Sequence, residues 1–169
     1  ALEHRISELD TYLFAKGRHY EIYEKMGAHL AEEDGKAGTY FSVWAPNARS
    51  VSVVGDFNNW DRTAHPMQPV QQSGIWDIFV PGVKAGDLYK FAVETSQGYT
   101  VLKADPYGNQ SQLRPDNASV VADIRYFDWT DQAWRKAHQE KKTESPMAIY
   151  EVHPGSWKKD PSMPGEFYN

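Results

Sequence analysis

The chain has 169 residues and a net charge of -5, with lysine and arginine scattered along it rather than gathered into a stripe. That balance argues against nucleic acid or anionic lipid as a partner, and the lack of cysteine excludes disulfides, thiolate nucleophiles and thiolate metal sites. With six tryptophans and ten tyrosines, we expect some aromatic residues to serve a surface as well as the core.

Residues 1–37 are predicted to form a helical lead-in followed by a linker. Apolar residues recur at helical spacing over residues 2–14, which predicts a short amphipathic helix. Its apolar stripe consists of Leu2, Ile6, Leu9 and Leu13. The start of the chain lacks the basic residues and apolar run of a secretion signal, and no stretch reaches the ~20 apolar residues that span a bilayer. We therefore expect a cytoplasmic protein.

From residue 38 to residue 124, short runs rich in β-branched and aromatic residues alternate with turn-forming clusters. This pattern predicts a small antiparallel β-sandwich. The predicted strands are residues 39–45, 50–54, 75–80, 88–94, 99–102 and 119–122. In the fourth of these strands, alternation places Tyr89 and Phe91 on one face and Lys90 on the other, away from the aromatic core.

Beyond the sandwich, residues 125–146 are predicted to be a helical linker and residues 147–169 the start of a further domain. A polar helix is expected over residues 133–142, after capping residues and before a serine and a proline. The apolar run 147–153 (MAIYEVH) is typical of a buried strand. Because no partner strand follows it, we expect a truncation just as a new domain begins.

Residues 41–48 (FSVWAPNA), 51–60 (VSVVGDFNNW), 88–91 (LYKF) and 103–107 (KADPY) occur in an order and spacing that resemble one family. They are similar to carbohydrate-binding module family 48, found on glycogen- and starch-processing enzymes and on AMP-activated kinase beta subunits. The resemblance implies a mainly β fold, an immunoglobulin-like antiparallel β-sandwich with short flanking helices.

Residues 12–14 (YLF) with Gly17 and His19, then residues 26–29 (MGAH), resemble the lead-in of bacterial-type glycogen branching enzymes. Residues 149–157 (IYEVHPGSW) resemble the first strand of the (β/α)8 barrel of those enzymes. Family members need an Asp nucleophile, a Glu acid/base and a second Asp on later strands, and a barrel takes roughly 250 residues. The resemblance thus implies that this chain lacks the catalytic residues, has no branching activity and needs no cofactor.

A glucan presents C–H faces ringed by hydroxyls, and its receptor needs flat aromatic platforms flanked by hydrogen-bonding side chains. Trp60 is the first predicted platform. The resemblance to the kinase module implies that Lys90 bonds to sugar hydroxyls and that Tyr99 replaces a second stacking tryptophan. It also implies that Leu113 and Asn117 line a loop that wraps the glucan.

Each candidate has a structural alternative, since a tryptophan is usually largely buried, an exposed lysine is usually solvated and an asparagine often caps a turn. Trp44 and Trp76 lie inside predicted strands and are interpreted as packing residues. Asp56 and Asp61 could form a hydrolase pair, although turn-forming aspartates are the preferred interpretation. The six histidines show no ligand spacing, and no metal site is expected.

The resemblance thus implies an α-glucan-binding, barrel-supporting N-terminal module of a 1,4-alpha-glucan branching enzyme in glycogen biosynthesis. Its expected partners are an α-1,4-glucan and the catalytic barrel. If the module mainly braces the barrel, its aromatic surface would pack against that domain instead of sugar. An immunoglobulin-like module that binds protein without sugar is the main alternative, and a small independent glycosidase is the third.

Overall fold

The computed structural model describes residues 4–125, 129–132, 135–136 and 150–153. In this part of the chain, two antiparallel sheets form an immunoglobulin-like sandwich. The first sheet contains β1 (Gly27–Glu33), β2 (Lys36–Trp44), β4 (Gln68–Val70) and β5 (Ile75–Pro81), in the order β1-β2-β5-β4. The second sheet contains β3 (Ala48–Gly55), β6 (Leu88–Thr95), β7 (Thr100–Lys103), β8 (Gln110–Ser111) and β9 (Ser119–Val120), in the order β3-β6-β9-β8, with β7 paired to β6.

The main core lies between the two sheets and is built around aromatic contacts. The rings of Phe41 and Tyr89 meet edge to face with centroids 4.9 Å apart, and those of Tyr89 and Phe91 with centroids 5.8 Å apart. The Tyr89 hydroxyl donates to Asp105 Oδ2 at 2.5 Å, which ties the turn after β7 to the end of the core. The buried aliphatic members of this core are Ala28, Val43, Val51, Val53, Met67, Val80, Val83 and Val121.

All six strands predicted from the sequence are present, each end lying within three residues of its predicted position. The short strands β4 and β8 were not predicted, because a proline in one and a length of two residues in the other leave no alternation to detect. The sheet also begins earlier than expected: β1 lies inside residues 1–37, where a linker was predicted, and pairs along its whole length with β2. Its glycine and two glutamates concealed the strand pattern.

The helix of the lead-in is shorter than predicted and faces inward through a different residue. Helix α1 spans Glu8–Ala15 and starts at a capping box, in which the Ser7 and Asp10 side chains bond to each other's backbone N–H. Ile6 is buried but precedes the helix, and Leu9 is exposed. Leu13 is partly buried, and Leu2 lies outside the described residues. The predicted stripe is therefore wrong as the buried face of the helix, since Leu9 is exposed and Asp10 is the buried residue.

Asp10 anchors the lead-in by gathering three polar partners around a carboxylate that is 6 % exposed. It lies 2.7 Å from His19 Nε2 and accepts from Lys25 Nζ at 2.5 Å and from Ser7 Oγ at 2.7 Å. Burial alone would raise the pKa of Asp10, but the hydrogen bonds from Lys25, Ser7 and His19 outweigh it and hold that pKa far below its ordinary value. The carboxylate is thus ionised and fixes the path of residues 7–25.

The lead-in covers the outer face of the first sheet. Register places Trp44 opposite Ile75 and Ser42 opposite Asp77 on that face. A second apolar cluster joins the lead-in to it, consisting of Ile6, Ile22, Met26, Val70 and Ile75, with Phe14 and Tyr107 at its margin. The Tyr40 hydroxyl donates to Asp77, and His4 Nδ1 lies 2.7 Å from the same carboxylate. The two sheets therefore differ, because apolar contacts and hydrogen bonds with the lead-in cover the outer face of the first sheet.

The chain divides into two compact units, Ala1–Phe127 and Asp128–Asn169. The predicted helix 133–142 lies mostly outside the described residues, but Gln132, Arg135 and Lys136 are helical. In the predicted barrel strand, Tyr150 to His153 are exposed and carry no strand, and its first residues lie outside the described part, as do residues 154–169. Across the described ranges no helix is long and apolar enough to cross a membrane.

Replacing Asp10 tests its role as the anchor. Asp10→Ala is expected to lower the free energy of unfolding by about 3 kcal/mol, because it leaves Lys25 and His19 without their buried acceptor. The matched control is Lys84→Ala, which removes an exposed pair with Asp87 worth about 0.5 kcal/mol. Urea denaturation at neutral pH measures both.

The same comparison has a defined pH dependence. Because the pKa of Asp10 is lower in the folded chain than in the unfolded chain, its contribution is present above the unfolded value of about 4 and is lost as the pH falls. The stability gap between the wild-type chain and Asp10→Ala is therefore expected to narrow in acid. A gap no larger than that of the lysine control, or one independent of pH, would contradict the anchor.

Candidate functional site

The turn after β3 is organised by one asparagine that the sequence analysis did not single out. Asn58 accepts from the Gly55 N–H at 2.9 Å, and its amide nitrogen donates to the Val53 carbonyl at 3.0 Å. The same nitrogen lies 2.8 Å from His65 Nδ1, while the Phe57 ring meets the His65 imidazole edge to face. One side chain thus joins β3, the short 3₁₀ turn Asp56–Asn58 and the bend at His65.

Trp60 sits on this turn in a conformation that costs backbone energy. It is partly exposed rather than sealed inside the sandwich, and its φ is 60°, next to Asn59 at 52°. A bulky residue in the left-handed region is a genuine outlier and costs on the order of 1–3 kcal/mol. The indole is held in place, since Nε1 donates to Asp56 Oδ1 at 3.0 Å and the backbone N–H donates to the Gly55 carbonyl at 3.0 Å.

Lys90 and Asn117 meet directly, the lysine Nζ donating to the asparagine Oδ1 at 2.6 Å. Lys90 faces away from the aromatic core, because its neighbours Tyr89 and Phe91 are fully buried between the sheets. It pairs in register with Val54, the residue before Gly55. Since Trp60 is bonded to that glycine, the pairing of β3 with β6 sets Trp60, Lys90 and Asn117 at one end of the second sheet.

The loop between β8 and β9 carries Asn117 and is closed by a glutamine. The Gln112 N–H donates to the Ala118 carbonyl at 2.9 Å, and its side-chain oxygen accepts from the Ala118 N–H at 3.3 Å. Leu113 projects from the loop and is almost fully exposed. Gln112 is a second residue that sequence reasoning missed, because a glutamine beside a turn carries no pattern signal.

The structure does not bring Tyr99 to this end of the sheet. Tyr99 lies in the β6–β7 hairpin, where its carbonyl accepts from Thr95, and its side chain is exposed. Lys90 and Thr95 are five residues apart along β6, or roughly 16 Å at the usual strand rise. The candidates therefore divide into a cluster of Trp60, Lys90 and Asn117 with Leu113 on the same loop, and a separate Tyr99.

Gly55 is required at the end of β3 because of a close approach. A Cβ at this position would lie 2.1 Å from the Leu88 carbonyl oxygen and 2.5 Å from the Phe57 ring. The backbone of β3 can therefore come close to β6 and turn sharply only with glycine. This residue fixes where the turn bearing Trp60 starts.

The two aspartates considered as a hydrolase pair both bond within the turn. Asp56 accepts from the indole of Trp60, and Asp61 accepts from the Thr63 N–H and hydroxyl at 2.8 and 2.7 Å. The Thr63 backbone and hydroxyl donors lower the pKa of Asp61, whereas a general acid in glycoside hydrolysis needs a raised pKa. Their arrangement fits the turn-forming interpretation.

The tryptophans assigned to packing behave differently from each other. Trp76 packs against the main core and donates from Nε1 to the Ala45 carbonyl at 3.1 Å. Trp44 packs edge to face against Phe14 but remains 52 % exposed. In the part of the chain that the structure describes, no group of three or more metal-ligating side chains comes together.

Comparison with known proteins places these features in context. The model of the family described as carbohydrate-binding module 48 (isoamylase N-terminal domain) matches residues 25–108. The chain is 52 % identical over 163 residues to the 1,4-alpha-glucan branching enzyme GlgB of Protochlamydia amoebophila, covering 96 % of this chain and 22 % of that protein. It is 52 % identical over 157 residues to GlgB of Butyrivibrio fibrisolvens, covering 92 % of this chain and 25 % of that protein.

The chain spans between a fifth and a quarter of the length of the curated relatives it matches. Among solved structures, ligand-free PulA from Klebsiella pneumoniae aligns with a TM-score of 0.49 and 28 % identity, covering 68 % of this chain and 10 % of that chain.

The left-handed conformation of Trp60 predicts an inverted order of stability for two substitutions. Trp60→Gly is expected to be more stable than Trp60→Ala by about 1 kcal/mol, because glycine adopts positive φ without the steric cost that alanine meets. The control pair is Trp76→Gly and Trp76→Ala in β5, where the ordinary preference for alanine over glycine applies. Chemical denaturation measures all four variants, and the same order at both positions would contradict the strained turn.

Acid is expected to destabilise the turn after β3 by protonating His65. Burial lowers the pKa of His65 below its ordinary value, and the neutral ring is the form whose Nδ1 can accept from Asn58. The stability that this contact contributes is present above the unfolded pKa of about 6.5 and is lost as the pH falls through the lower folded value. We expect the Asn58 side-chain amide signals and the Trp60 backbone amide signal to shift together in an NMR titration towards acid.

His65→Gln is the control, because glutamine does not titrate. In that variant the coupled transition of the Asn58 and Trp60 signals should disappear. Persistence of the same transition would contradict the assignment to His65.

Proposed function

Because residues 25–108 belong to the carbohydrate-binding module 48 family, in a chain that matches glycogen branching enzymes over nearly all its length, we propose that this chain binds α-1,4-glucan. The observation that carries the proposal is the partly exposed Trp60, held at a positive φ, at the end of the sheet that also carries the Lys90–Asn117 pair. A strained residue persists where the surrounding structure holds it, and such residues cluster at binding sites.

The chemistry of the cluster suits a neutral sugar chain. A fixed indole offers an apolar face for pyranose C–H groups, and its orientation is set before binding because Asp56 holds Nε1. Lys90 donates and the Asn117 amide both donates and accepts, which suits hydroxyls that do the same. Leu113 would cover the bound sugar from the loop, and Tyr99 would meet a chain long enough to follow β6.

We further propose that the chain serves within a longer branching enzyme and helps to support a catalytic barrel there. The support is the length of the relatives, together with aromatic and aliphatic residues of the lead-in that are at least half exposed. These residues are Leu9, Tyr12 and Tyr20. Catalysis by this chain alone is not expected, and a cytoplasmic location stays a prediction.

Titration with maltoheptaose tests the glucan site. Trp60→Ala is expected to weaken binding about 30-fold, the loss of about 2 kcal/mol typical of a central aromatic contact. Lys90→Ala is expected to weaken it less, since water replaces part of its hydrogen bonding. Trp44→Ala is the matched control, an exposed tryptophan at the end of the first sheet, and should leave affinity within about twofold. Isothermal calorimetry measures all four proteins.

The alternatives give different results in the same samples. Absence of saturable binding at millimolar maltoheptaose would refute the glucan site and favour an immunoglobulin-like module that binds protein. Equal losses in Trp60→Ala and Trp44→Ala would place the sugar elsewhere. Release of reducing sugar from amylose by the pure chain would support an independent glycosidase and contradict the assignment of catalysis to a further domain.

A further inference from the structure

The geometry points to a second ligand site, a cavity for a small neutral sugar on the opposite edge of the sandwich from β3. The cavity has a volume of about 320 Å³ and lies between the lead-in, the edge strand β1 and the segment after β9. That volume is at the lower end of the range found for small-molecule sites. The residues of the Trp60 cluster do not line it.

An aspartate-arginine pair forms one wall of the cavity. Arg125 donates to Asp123 from Nε at 2.9 Å and from Nη2 at 2.8 Å, in a two-point contact. These bonds, with one from the Arg125 backbone, lower the pKa of Asp123 to about 2. The carboxylate is therefore ionised at neutral pH, and it keeps acceptor capacity because its two oxygens have about four lone-pair sites.

The remaining walls supply an aromatic ring, an amide and a balanced charge. The Tyr23 side chain is 59 % exposed and lies at the cavity, as does the exposed Asn109 amide, which both donates and accepts. His29 is held by a bond from its ring to the Met26 carbonyl at 2.8 Å. Arg5 and Arg125 are matched in number by Glu24 and Asp123.

Together, the side chains around the cavity favour one chemical class of ligand over others. A phosphate or carboxylate would be repelled by two carboxylates as well as attracted by two guanidinium groups. A free cation would be attracted by the carboxylates and repelled by the guanidinium groups. A metal ion is not favoured either, because the acidic and histidine side chains described around the cavity do not form a ligand cluster. An uncharged ring with an apolar face and vicinal hydroxyls suits all the groups, since Tyr23 can stack on it while Asp123 accepts and Asn109 donates.

The ligand is therefore one or two hexose units, for which maltose is the probe. The inference does not depend on the glucan site around Trp60, because the two share no residue. If both are correct, one chain contacts glucan at two separated places. Such a chain gains avidity for a branched or long polymer beyond its affinity for either end.

An NMR titration of the full 169-residue chain with maltose tests the site. We expect saturable shifts in the backbone amides of Ala28, Leu30 and Ala122, which line the cavity. Tyr23→Ala and Asn109→Ala should each reduce the affinity read at these amides at least about 10-fold. Both residues are exposed, and these variants should keep the dispersed spectrum of the folded chain.

Two control variants distinguish binding in this cavity from nonspecific contact and from binding at Trp60. Tyr20→Ala removes a tyrosine that is 85 % exposed and does not line the cavity, and it should leave the affinity unchanged. Trp60→Ala should also leave the shifts of the cavity amides intact, even if it abolishes binding at the other site. Both results would support an independent second site.

Three results would overturn the proposal. The first is that the cavity amides show no saturable shift at the highest soluble concentration of maltose. The second is that the shifts disappear in Trp60→Ala, which would make them a secondary effect of the other site. The third is that glucose 1-phosphate binds at these amides more than about 10-fold tighter than maltose, which would show an anion site instead.

Discussion

The pairing of β3 with β6 is the constraint on which the candidate glucan site depends. Val54 lies opposite Lys90 and Gly55 opposite Tyr89, which buries Tyr89 and turns Lys90 outward. Because a shift of one residue would exchange the two faces, the buried aromatic core fixes the position of the lysine. The same register sets the end of β3, and therefore the start of the turn that carries Trp60.

The turn after β3 carries the proposed platform and holds it by hydrogen bonds. Asn58 satisfies backbone groups on both sides of the turn, and Asp56 holds the indole. The cost of the left-handed Trp60 is thus offset by several hydrogen bonds of 2.9 to 3.0 Å. A ring fixed before binding loses little conformational entropy when a sugar stacks on it. The hydrogen bonds of the turn thus hold the strained backbone of Trp60 and also orient its indole before a sugar binds.

The lead-in makes the two outer faces of the sandwich unequal. Asp10, Lys25 and His19 fix its path, and the cluster around Met26 and Ile75 covers the outer face of the first sheet. The second sheet keeps Lys90 partly exposed on its outer face, although the adjoining Val54 and Ala92 are buried. The lead-in also creates the cavity beside β1, because Arg5, Tyr23 and Glu24 form a wall that the sandwich alone would lack.

Sequence patterns predicted the parts of the fold that rest on alternation and composition. The strand containing Tyr89, Lys90 and Phe91 follows directly from the period-two alternation. Trp60 was proposed because the motif that resembles the family ends there, and its role stays a prediction. The contact of Lys90 with Asn117 could not be predicted from spacing, since it depends on how the β8–β9 loop closes around Gln112. Asp10 was missed as a buried residue because a charge is buried only when partners distant in sequence arrive, here Lys25 and His19. β1 was missed because its edge position tolerates glutamate and glycine.

Intermolecular NOEs in a complex of the chain with maltoheptaose test the proposed platform most directly. The account predicts cross-peaks between sugar C–H protons and the Trp60 indole ring, accompanied by cross-peaks to the Lys90 side chain. Cross-peaks confined to Trp44, or a Trp60 ring that gives none while the sugar is bound, would contradict it.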